Sequence, residues 1–168
     1  VEVTRIHEGL WRWAVAGGDC PSRAATYLEH GDHMVLVDPV LPPADADRER
    51  FHRAIARDLA RLGGAVSILR THPADAEEVA EVARLTGGRV IGPEDPPPPG
   101  MQRLPLAARH EVAWWSARHR ALMPGRALRV SPDGVIVAVP GVDAAALLAV
   151  SPRVVIPAEG PMLCIPAP

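Results

Sequence analysis

Ser67-Ile68-Leu69-Arg70-Thr71-His72-Pro73-Ala74-Asp75-Ala76-Glu77-Glu78-Val79 reads as a short strand that turns into a helix. Val66 to Leu69 is apolar enough to be buried on both faces. Pro73 suits the first helical turn, and Asp75, Glu77 and Glu78 favour the positive end of a helix. Val79, Val82 and Ala83 then recur on one face, and Gly87-Gly88 supplies a stop. Arg89-Val90-Ile91 follows as a second strand. The unit is therefore strand, helix, strand, and its turn carries His72 and Asp75.

Upstream, the same logic repeats. Phe51, Ile55, Leu59 and Leu62 share one face of a helix predicted over Asp45 to Leu62, which ends at Gly63-Gly64. Before it, Ala25 to Glu29 and Met34 to Asp38 flank Gly31 as a hairpin. Trp11, Trp13 and Val15 alternate like a strand. Downstream of a Pro-rich loop at 93–100 the pattern turns β-rich. Strands are predicted at Glu111 to Trp115, Ala121 to Met123, Leu128 to Val130 and Val135 to Val139. Asp133-Gly134 closes the last pair, a short helix is predicted over Asp143 to Val150, and a final strand over Val154 to Ile156. The alternation of strands and helices indicates an α/β domain with crossover connections, formed by residues 1–168 as one unit.

Composition excludes several classes. The chain has 168 residues, nearly half of them apolar, which is enough for a real core and unlike a disordered segment. A formal net charge of −2 gives no footprint for nucleic acid. All 18 basic residues are Arg, with no Lys and no Asn, as in a GC-rich bacterial coding sequence, so Arg abundance alone does not signal phosphate binding. No apolar run reaches membrane-spanning length and no signal-peptide pattern opens the chain, so the expected location is cytoplasmic, with no membrane partner. Cys20 and Cys164 form neither a CxxC pair nor a framework, and are expected to be unbridged.

The order of elements resembles the metallo-β-lactamase superfamily, whose fold is an αββα sandwich; here it would be a compact version. Tyr27 through Pro39 is similar to the family's early hairpin, and Ser67 to Pro93 to its strand, metal-motif turn, helix and strand. Glu111 to Arg126 is similar to the strand pair that ends in Gly-Asp, and Val154 to Pro161 to the strand that ends in a metal-binding His. The resemblance implies zinc or iron held by an HxHxDH turn and partner ligands. This chain departs from that pattern at each point. The turn keeps His72 and Asp75; Arg126 stands where the bridging Asp is expected, and Ala158 where the last His is expected. A further His is expected near Ala107 or Ala108, and His110 is off register. A catalytic zinc needs about three protein ligands and a water, and a guanidinium places a fixed positive charge where a dication would sit.

Two functional readings follow. One is a metallo-β-lactamase-fold protein without catalysis, metal or cofactor, serving as a binding, scaffolding or oligomeric component. The other is a hydrolase of small esters, lactones or phosphodiesters with an altered or mononuclear site, using His72, Asp75 or Glu159. Each of these residues has an ordinary alternative: His72 as a helix cap, Asp75 as a helix N-terminal charge, Glu159 as an ion-pair partner of Arg126. His30-Gly31-Asp32-His33 is expected to be an exposed polar turn. Arg70 or Arg126 is expected to pair with Asp75, Glu77 or Glu159. One of Trp114 and Trp115 should be core and the other should cover a helix or an interface. At least one of Trp11, Trp13, Trp114 and Trp115 is expected on an exposed apolar patch where a second copy or a protein partner binds.

Overall fold

The structure, a computed structural model, describes all residues except 18–19, 74–75, 93, 107–110 and 167–168, and no side chains at 17, 20 or 21. The first sheet is built in sequence order from β1 (Glu2–His7), β2 (Leu10–Gly17), β3 (Cys20–His30), β4 (His33–Val37), β5 (Val66–Leu69) and β6 (Arg89–Ile91). Its first four strands are antiparallel. The last three run parallel because helices α1 (Asp45–Leu62) and α2 (Ala76–Thr86) carry the chain back between them. The second sheet contains β7 (Met101–Pro105), β8 (Val112–Ser116), β9 (Ala121–Gly125), β12 (Val154–Pro157) and β13 (Leu163–Cys164). A separate hairpin of β10 (Leu128–Val130) and β11 (Ile136–Ala138), together with α3 (Ala144–Leu148), covers its far side.

The two-residue period of the strands divides the apolar residues into layers. Val35, Val37, Leu69, Trp114, Met123 and Ile156 point between the sheets. Their neighbours Met34, Leu36 and Ile68 face α1 and α2. Trp115, Leu122 and Val155 face α3. Both tryptophans of the pair are thus buried, one between the sheets and one under a helix, as their adjacency demands. The result is helices, sheet, sheet, helix.

Helix α1 has the expected bounds. Gly63 ends it at φ 68°, and its N–H donates to Leu59 O at 2.9 Å. Helix α2 is described from Ala76, with residues 74–75 outside the described residues and Pro73 in a bend before them. Strands β7 and β13 add to the expected set. Asp143 caps α3 by accepting from Ala146 N at 3.1 Å. Cys164 is a free, exposed thiol, so it is not bridged to Cys20, whose side chain lies outside the described residues. Among the described residues no helix is long and apolar enough to cross a membrane.

Candidate functional site

The two sheets meet at one end of the sandwich, where β4, β5, β9 and β12 finish. Their C-terminal residues line a small cleft of about 30 Å³, bounded by Asp38, Arg70, Thr71, His72, Arg126 and Glu159 among others. That volume suits one or two waters or the tip of a ligand.

Each wall has a local cause. Asp38, just past β4, adopts a positive φ of 47°. From there its Oδ1 accepts from Thr71 N at 2.7 Å and its Oδ2 from Thr71 Oγ1 at 2.6 Å. This clamp fixes the turn after β5. Trp114 Nε1 donates to Arg70 O at 3.0 Å, which anchors the same turn to the second sheet. Main-chain bonds complete the junction: Val112 N to Thr71 O at 3.1 Å, Ala24 N to Ala158 O at 2.7 Å and Ala158 N to Gly125 O at 3.0 Å.

Several of the charged groups are paired with one another. Arg126 Nε lies 3.0 Å from Glu159 Oε1, the ion pair expected from the sequence. Arg129 approaches the other oxygen of Glu159 at 4.0 Å. Arg23 makes a two-pronged contact with Glu78, at 2.8 and 3.0 Å. His72 Nε2 lies 3.3 Å from Glu111 Oε1, just before β8. His72 and Glu159 line the same cleft. Asp75 lies outside the described residues, as do Ala107, Ala108 and His110. The Arg70 Nε is buried without a hydrogen bond among the described residues.

The described cleft offers one imidazole, while Asp38 is committed to Thr71 and Glu159 to Arg126. Three guanidinium groups, from Arg23, Arg70 and Arg126, share the lining. Among the described residues no group of three or more His, Cys, Asp or Glu converges as a metal would require.

No family model and no curated protein matches the sequence. Solved structures do match. A metallo-β-lactamase from Hirschia baltica superimposes with a TM-score of 0.65 at 13% identity, over 97% of this chain and 92% of its own. One from Erythrobacter litoralis, with beta-mercaptoethanol in its active site, gives 0.65 at 12% identity, over 96% and 90%. The metallo-β-lactamase FIM-1 from Pseudomonas aeruginosa, in its mono-zinc form, gives 0.63 at 14% identity, over 97% and 89%.

The chain has the metallo-β-lactamase fold.

At these identities the likeness concerns the fold. It establishes the αββα sandwich and its two-sheet junction as those of metallo-β-lactamase-fold proteins. The pairing of His72 with Glu111 was not foreseen from sequence. Glu111 was read as the start of a strand, and only the packing of β8 beside the turn after β5 brings the two together.

The opposite end of the sandwich holds a second polar cluster. His30 and His33 form the last Cα pair of the β3–β4 hairpin. They are half-buried with partners, contrary to the expectation of an exposed turn. His33 Nε2 meets Ser67 Oγ at 2.9 Å, and His30 Nε2 meets Ser116 Oγ at 3.3 Å. His119 packs edge-on to His30 at 5.2 Å between centroids and stacks on His7 at 5.1 Å. Desolvation, helped by His119 and Arg118, pushes the His30 pKa down to about 4, and burial lowers that of His119 too. Nearby, Tyr27 Oη donates to Glu29 at 2.8 Å, and Arg61 pairs with the same carboxylate. The Arg61 and Tyr27 hydrogen bonds hold the Glu29 pKa low against the opposing effect of burial.

Proposed function

We propose that this protein is a non-catalytic member of the metallo-β-lactamase fold, acting as a binding or oligomeric component. The observation that carries the reading is the Arg126–Glu159 ion pair at 3.0 Å across the strand ends. A guanidinium there repels a dication and occupies the carboxylate that would otherwise ligate it. Without several ligands to lower the pKa of a bound water, the usual hydroxide nucleophile has no source. The test is elemental analysis of purified protein after exposure to zinc and iron. No retained metal is expected, and one tightly bound ion per chain would overturn the proposal.

The binding reading has its own support on the outer face of the first sheet. Trp11, Trp13, Tyr27 and Phe51, four of the six aromatic residues, line a groove of about 720 Å³ between α1 and the β1–β2 hairpin. Trp13 is buried and Trp11 half-buried, while Val1 and Val3 on the rim are exposed, Val3 at 67%. β1 is the edge of its sheet among the described residues, so one side of its backbone is unpaired. An open edge next to an apolar groove suits a second copy of the chain, its own β1 adding alongside.

One observation favours the second reading. His72 and Glu111, 3.3 Å apart, form the base-and-orienter pair that a mononuclear or metal-independent hydrolase of small esters, lactones or phosphodiesters would use. Loss of esterase, lactonase or phosphodiesterase turnover in His72→Ala would establish it. Absence of such turnover in the unmutated protein would dismiss it.

A further inference from the structure

Arg12 lies in the middle of β2 on the face turned toward the second sheet, and it is only 6% exposed. Its Cα partners are Thr4 and Thr26. Nη2 donates to Gly160 O at 2.5 Å, and Nε is buried without a hydrogen-bond partner among the described residues. Among the described residues no carboxylate reaches it within ion-pair distance. Burial lowers its pKa, and the charge of Glu2, acting without contact, offsets part of that. A guanidinium stays ionised even so. A buried cation with no carboxylate in contact among the described residues is costly for a fold to keep, and an apolar residue of similar volume would pack there more stably.

Arg12 lines an open groove of about 680 Å³ between the inner face of β1–β2 and the segment 160–162. Ala14, Ala16, Pro161 and Met162 give this groove apolar walls, with Glu2 among its polar groups. The volume falls in the range of small-molecule sites, and the pattern of apolar walls with a fixed charge is theirs as well. We infer that the groove binds a small aliphatic carboxylate, its charged end on Arg12 and its chain along Ala14, Ala16 and Met162. With one Nη2 hydrogen on Gly160 and Nε enclosed, the remaining N–H groups of Nη1 and Nη2 are the donors left for a ligand. The carboxylate of Glu2 in the same groove repels a dianion more than a monoanion, so a monocarboxylate suits the site better than a phosphate dianion. This inference goes beyond the proposed function and holds whether or not the strand-end cleft is catalytic.

The test is calorimetric titration and thermal denaturation of the full chain with acetate, butyrate and hexanoate, with hexanamide and inorganic phosphate as controls. Saturable binding is expected, tighter for hexanoate than for acetate, and absent for hexanamide and phosphate. Arg12→Met should lower hexanoate affinity at least about tenfold, the scale of one lost charged contact, while melting at or above the temperature of the unmutated chain. Ala16→Phe, at an exposed strand position, should fill the groove without touching the fold and cause a similar loss. The inference is overturned if no carboxylate binds saturably, if hexanamide or phosphate binds as well as hexanoate, or if hexanoate affinity survives both substitutions.

Discussion

At the scale of single residues, the cleft depends on a close approach that only glycine permits. Gly125 ends β9 at φ 61°, and a Cβ built there would lie 2.3 Å from Thr71 Oγ1. Thr71 cannot give way, because Asp38 holds both its N–H and its hydroxyl. Gly125→Ala therefore combines left-handed strain with a collision, and is expected to cost about 2–3 kcal/mol in urea denaturation. Trp114 is fully buried between the sheets, and its indole N–H anchors the turn after β5. Trp114→Ala is expected to cost about 3–5 kcal/mol by the same measurement. Arg126→Ala belongs to another class. Its ion pair with Glu159 is partly exposed, so a loss below about 1 kcal/mol is expected.

Among the elements, helix α1 was legible to the residue because its apolar stripe and its glycine stop agree. The β3–β4 and β10–β11 hairpins were legible from Gly31 and Asp133-Gly134. Strands β7 and β13 were not. Met101 to Pro105 includes Gln102 and Arg103 and ends in proline, and Leu163-Cys164 sits in a proline-rich tail. Both are edge strands that tertiary pairing creates without a strong pattern of their own. Of the cleft, Arg126 with Glu159 followed from the resemblance, whereas His72 with Glu111 required the sheets to meet. The histidine cluster shows the same limit: β1, β3, β4 and the β8–β9 turn each contribute one or more rings, and no local spacing announces it. It also sets a pH dependence. Facing His30 are His119 and Arg118 from the β8–β9 turn, His33 from β4 and Ser116 from β8; His7 of β1 and the Glu29 carbonyl face His119. An unfolded histidine titrates near pH 6.5, His30 in the fold near 4. Between those values the unfolded chain holds more protons, so stability is full above about pH 6.5 and falls as pH drops toward 4. Because His30 is only half-buried, solvent screening keeps its share of that loss to on the order of 1–2 kcal/mol. Denaturation at pH 7.5, 6 and 5 should show the decline, and His30→Gln should flatten it; an unchanged slope in the variant would refute the assignment.

For the whole molecule, the asymmetry of its two outer faces matters. The face under α1 keeps an open aromatic groove and a free sheet edge, whereas α3 and the β10–β11 hairpin cover the other. Sedimentation across a concentration series should reveal self-association, weakened by Val3→Lys, which places a charge on the exposed rim; a monomer at high concentration would remove the second-copy reading. The strand-end junction behaves differently. Main-chain bonds tie the sheets there, from Val112 to Thr71, Ala24 to Ala158 and Ala158 to Gly125, and none of them uses a rim side chain such as Arg126. This amounts to evolvability. At position 126, where the ion pair is partly exposed, exchange is expected to cost below about 1 kcal/mol, so a lineage meets only a small stability change in gaining or losing chemistry there. A protein engineer inherits the same freedom: new ligands or nucleophiles can be installed on a rim whose shape is already secured by its backbone.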